Sequence, residues 1–64
     1  MCQTNVVIEQ GESEESLLEN VTTLEVTDGG LVMATLFEGL KEYPGLAIRR
    51  IDFNEGKVYL FRIK

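Results

Sequence analysis

Cys2 is the single cysteine among 64 residues, and the chain contains no histidine and no tryptophan. A thiolate is a soft ligand, and beside an amino terminus it becomes part of a chelate. If Met1 is removed, the free amine and the thiolate of Cys2 close a five-membered ring with a metal. If Met1 stays, its amine and the deprotonated amide of Cys2 join the same sulfur. A square-planar set of nitrogen and sulfur donors suits Ni(II) or Cu(II). A second Cys2 from a two-fold-related chain could complete the plane, because an isologous interface brings identical residues together near its axis. The plainer reading is that Cys2 is a small apolar residue opening a strand.

Other chemistries lack their parts. The hydroxyls, among them Ser13, Ser16, Thr22, Thr23 and Thr35, have no imidazole to serve as base, so triad-type nucleophilic catalysis is excluded. Zinc sites of spaced cysteine and histidine are absent. Gly29-Gly30 reads as a hairpin with no helix after it, so it cannot cradle phosphate as a P-loop does. Most carboxylates fall in loops or on outer strand faces and read as solvated surface. The chain is not expected to be an enzyme.

The elements that must position Cys2 are strands. Thr22-Thr23-Leu24-Glu25-Val26-Thr27 alternates with period two, placing Leu24 and Val26 on one face. Asp28-Gly29-Gly30 follows as a turn. Leu31 to Phe37 is apolar at most positions, as in a strand covered on both faces. Glu38-Gly39 and Tyr43-Pro44-Gly45 are further reversals. Between Ile48 and Ile51 the alternation slips by one residue, which a bulge near Arg49-Arg50 would produce. Asn54-Glu55-Gly56 reads as a three-residue hairpin loop leading into a last strand, Lys57 to Ile63. A first strand is expected from about Gln3 to Gln10 with Val6 and Ile8 inward. Gly11 to Glu15 is expected as a solvated loop, and Ser16 to Asn20 as a short edge strand or one helical turn. The sum is an all-β chain: a small antiparallel barrel of six to seven short strands, read as a single domain over residues 1–64.

The last strand is apolar on both faces, with Val58 and Leu60 on one and Tyr59, Phe61 and Ile63 on the other. Either other residues of the same chain cover the second face or a second chain does. A chain this short gains little stability from its own core, about 3–5 kcal/mol, which favours a partner chain or a metal more than in larger proteins.

The formal net charge is -5, with all six basic residues in positions 41–64 and eight of the eleven acidic ones in positions 1–40. An acidic excess disfavours non-specific polyanion binding. A local surface of Tyr59 and Phe61 beside Arg49, Arg50, Arg62 and Lys64 leaves RNA binding as the alternative function. No apolar run approaches the ~18 residues of a membrane span, and no secretion signal is evident. A lone thiol without a signal peptide points to a reducing cytoplasm.

The head Met1-Cys2, the turn Asp28-Gly29-Gly30, the block Thr35-Leu36-Phe37-Glu38 and the run Tyr43-Pro44-Gly45-Leu46-Ala47-Ile48, followed by Ile51-Asp52, resemble the CooT family of small nickel-binding proteins. The likeness covers essentially the whole chain. It implies a small barrel related in shape to SH3-like folds, a homodimer, and Ni(II) bound through the cysteine after the initiator methionine. It further implies an accessory role toward a nickel enzyme such as carbon monoxide dehydrogenase. Relatives of the family have also been labelled predicted RNA-binding proteins.

Overall fold

The computed structural model describes residues 4–63. Within them lie six strands: β1 (Thr4–Gln10), β2 (Ser13–Thr27), β3 (Gly30–Thr35), β4 (Lys41–Pro44), β5 (Leu46–Asp52) and β6 (Lys57–Arg62). The expected all-β class is what forms. The strands make one sheet in the order β4-β3-β2-β1-β6-β5. Every neighbouring pair is antiparallel except β1 and β6, which run parallel from Asn5 opposite Lys57 to Ile8 opposite Leu60. A parallel pair needs a crossover rather than a tight turn, and here the crossover is the whole of β2 to β5.

The sheet curls into a half-barrel closed at one end. There the Gly45 amide donates to the Gly29 carbonyl at 3.0 Å, and the Ile63 amide donates to the Gly45 carbonyl at 2.8 Å. Alternation along the strands supplies the core. Val6 and Ile8 of β1 meet Val58 and Leu60 of β6, with Leu31 and Met33 of β3, Val21 of β2 and Leu46 of β5.

Two expectations for the first half of the chain are overturned. Gly11 to Glu15 is not a loop, and Ser16 to Asn20 is neither a separate strand nor a helical turn. A two-residue turn at Gly11-Glu12 leads straight into the fifteen-residue β2, and Ser13 Oγ donates to the Gln10 carbonyl at 3.1 Å. The polar run Ser13-Glu14-Glu15 is strand because its backbone pairs with β1, Gln10 opposite Ser13 and Ile8 opposite Glu15. Pairing outweighs poor β-propensity where the backbone bonds are available.

Asn20 lies at φ 60°, in the left-handed region. Asparagine tolerates that region better than most residues. The bend lets β2 serve two neighbours in turn, pairing with β1 up to Val21 and with β3 from Val21 to Thr27. The slip expected at Arg49-Arg50 is present as a register shift between Ile48 and Arg50 against β6.

β3 stops at Thr35, short of the expected Phe37. Its hydroxyl accepts from the amides of Phe37 (3.3 Å) and Glu38 (3.0 Å), turning the chain out of the sheet. Leu36 and Phe37 are left exposed. Thr35→Val keeps the shape and removes the acceptor. Water can reach the freed amides, so the expected loss is about 1 kcal/mol, read as a lower midpoint in urea unfolding.

Candidate functional site

Cys2 lies outside the described residues. What the structure describes is its mount. Thr4 opens β1 opposite Val21, at the bend of β2. The next residue is held twice: the Asn5 amide donates to the Gly56 carbonyl at 2.8 Å, and its Oδ1 accepts from the Asn20 amide at 3.5 Å. The start of β1 is thus tied to the β2 bend on one side and to the β5–β6 loop on the other.

Beside Thr4 an apolar groove of about 460 Å³ runs between β2 and β5. Leu24 and Val26 line one wall, Ile48 and Ile51 the other, with Val58 at the base and Phe53 at the rim. Leu24 and Val26 do share a face, as their alternation required. Val26 is nevertheless 67% exposed and Phe53 88% exposed, because the half-barrel does not close over them. Sequence reasoning missed the groove. The signal available was two apolar residues close to turns, which a buried strand end would produce equally well.

On the opposite face of β6, the same chain covers Tyr59, one of the two alternatives the sequence left open. Tyr59 is not available to a second chain, being only 5% exposed. The Arg50 guanidinium stacks over its ring 3.8 Å from the centroid, and Val7 stands beside it in register on β1. Arg49 is occupied as well, its Nε 3.2 Å from Glu9 Oε1. Of the aromatic and basic groups that could have formed a nucleic-acid platform, Phe61 alone among the two aromatics remains partly open, at 36%. Stacking on bases needs exposed rings, and this face offers little of that. Among the described residues no group of three or more Cys, His, Asp or Glu side chains is placed to hold a metal ion. None of the described residues is helical, so no helix there is long and apolar enough to cross a membrane.

Residues 1–61 match the family model described as CO dehydrogenase accessory protein CooT. The chain belongs to the CooT family. Its kind is that of an accessory protein and not of an enzyme. A crystal structure of a candidate CooT from Carboxydothermus hydrogenoformans is similar along 98% of this chain and 100% of its own, with a TM-score of 0.85 and 28% identity. An uncharacterized protein of Methanothermobacter thermautotrophicus is 32% identical over 60 residues, covering 94% of this chain and 88% of the relative. The half-barrel described above is therefore a CooT fold, and the matched span includes Cys2.

Proposed function

We propose that this CooT-family chain holds or delivers Ni(II) for maturation of a nickel enzyme such as carbon monoxide dehydrogenase, with Cys2 as ligand and the site shared across a cytoplasmic homodimer. The observation that carries the reading is the family match itself, which runs through the one thiol the sequence contains. Nickel is cargo here, and the donors offered to it are the Cys2 sulfur and the main-chain nitrogen beside it.

The donor chemistry fits the cargo. Thiolate and amide or amine nitrogen give Ni(II) the square-planar field it favours. Covalent geometry adds a constraint of position. Two Cα–Cα steps of ~3.8 Å separate Cys2 from Thr4, so its Cα stays within about 7.6 Å of the residue that lines the groove. Thr4 and Asn5 are anchored by backbone pairing and side-chain bonds, which gives the ligand a fixed base.

Titration of the metal-free protein with Ni(II) tests this. Thiolate-to-nickel charge-transfer absorption should rise and saturate near one metal per two chains. No saturable absorption, with the protein folded, would end the proposal. The pH dependence has a definite sign. A thiol must lose its proton to bind, so protons compete with the metal as pH falls. Affinity should drop by about tenfold per pH unit for each thiol that must ionise, measured by repeating the titration between neutral and mildly acidic pH.

A further inference from the structure

We propose that the loop Leu36-Phe37-Glu38-Gly39-Leu40 is the docking surface for the client enzyme, with Phe37 entering an apolar pocket edged by basic side chains. The inference deepens the function proposed above and rests on that reading only for the choice of partner. Leu36, Phe37 and Leu40 are exposed by 60%, 81% and 64%, and none of them belongs to the core. Single exposed apolar side chains need no explanation, but three within five residues make a patch of the kind that marks an interaction site. The loop is also firmly built. The Thr35 amide donates to the Glu38 carbonyl at 3.0 Å, and the Leu36 amide donates to the Asn20 carbonyl at 2.9 Å. The Thr35 hydroxyl accepts from the Phe37 and Glu38 amides, and Lys41 Nζ lies 3.2 Å from Glu38 Oε1. A loop already fixed loses little conformational entropy when a partner closes on it, so more of the buried area appears as affinity.

Position selects the partner. Thr4, Val21 and Thr35 stand opposite one another on β1, β2 and β3. The Asn20 that holds Leu36 is itself bound through its amide to Asn5. Two strand spacings of ~4.8 Å keep the Thr35 Cα within about 10 Å of the Thr4 Cα. Adding the two chain steps from Thr4 back to Cys2, the thiol-bearing residue stands at most about 17 Å from the root of the loop. A standard interface of ~800 Å² per partner, drawn as a disc, is about 30 Å across. A protein seated on the loop therefore reaches the cargo ligand within the same footprint, which is what a receiver of the ion requires. Charge gives the edge of the partner's pocket its sign. Glu19, next to Asn20, and Glu42, next to Lys41, are exposed, and neither pairs with a described basic side chain. Glu38 and Lys41 offset each other, so the surround of the loop is net negative. A basic rim meets it favourably, whereas a second copy of net charge -5 does not.

The test is binding of the full chain to metal-free carbon monoxide dehydrogenase of the same organism, followed as association and dissociation kinetics. The wild-type chain should bind, and Phe37→Ser should weaken binding at least about tenfold, as loss of an aromatic anchor does. Phe53→Ser removes a ring that is 88% exposed elsewhere on the chain and should leave binding unchanged. Glu19→Lys should slow association at low salt and flatten its salt dependence, as changes to rim charges do. Equal binding by Phe37→Ser and wild type, an equal loss in Phe53→Ser, or no binding by the wild-type chain would each overturn the proposal. So would a changed oligomeric state of Phe37→Ser alone, which would give the loop to self-association. If Phe37→Ser fails to fold by circular dichroism, Leu40→Ser takes its place with a loss of binding again expected. Nickel titration separates the two proposals. Phe37→Ser should take up nickel as the wild type does. A chain that binds the enzyme through Phe37 but takes no nickel would sink the nickel reading and leave the docking surface standing. One that takes nickel and binds the enzyme without need of Phe37 would do the reverse.

Discussion

With Cys2 replaced by serine, the nickel titration is expected to lose its charge-transfer band altogether and its affinity by more than about 100-fold. A serine hydroxyl does not ionise near neutral pH and is a hard, weak donor toward Ni(II), whereas thiolate is both charged and soft. Removing even a group that merely orients a ligand commonly costs 10–100-fold in metal affinity, so loss of the sulfur itself must exceed that. No other cysteine exists to substitute, and there is no histidine. Among the described residues no Cys, His, Asp or Glu cluster offers a second site. The fold should be untouched, because the described core draws on no residue before Val6. Far-ultraviolet circular dichroism and urea midpoint unchanged, with nickel absorption gone, is the expected pair of results. A Cys2→Ser protein that still saturates with nickel at comparable concentration would move the site elsewhere.

The second large effect is on stability. Leu60→Ala is expected to lose about 2–5 kcal/mol, the usual cost of a fully buried leucine and the cavity it leaves. Leu60 is 0% exposed and sits where β6 meets both β1, opposite Ile8, and β5, opposite Ile48. That junction carries the one parallel pairing among the described strands, and a one-residue slip there would turn Val58 and Leu60 outward. A core of this size supplies only about 3–5 kcal/mol in total, so the variant should be largely unfolded as a monomer. Thermal or urea unfolding followed by circular dichroism measures it. Raising the protein concentration should recover part of the loss if two copies associate, since whatever binds only the folded state stabilises it by mass action. A variant with wild-type stability would show that the β1–β6 contact is not the centre of the core.

Several local features are legible in the amino-acid order alone. Period-two runs mark the second half of β2 and, with one slip, β5, because alternation of side chains is a property of the extended backbone itself. Asp28-Gly29 and Asn54-Glu55-Gly56 mark turns. The slip between Ile48 and Ile51 marks the β-bulge that the register of β5 on β6 contains. Composition misleads in two places. Ser13-Glu14-Glu15 looks like a loop because its side chains are polar, yet its backbone is paired throughout. Tyr59 looks free because its face is opposite the core, yet Arg50 reaches over it from the neighbouring strand.

By itself the sequence determined an all-β chain with one thiol, Cys2, no imidazole, and a motif order that resembles the CooT family. Only the tertiary structure decided which surfaces are closed. Alternation defines two faces of a strand but not which face, or which edge, another strand will cover. That depends on partners distant in sequence. Arg50 of β5 covers Tyr59 of β6, while β2 and β5 stay unpaired and leave Val26 and Phe53 open in the groove that Thr4 also lines.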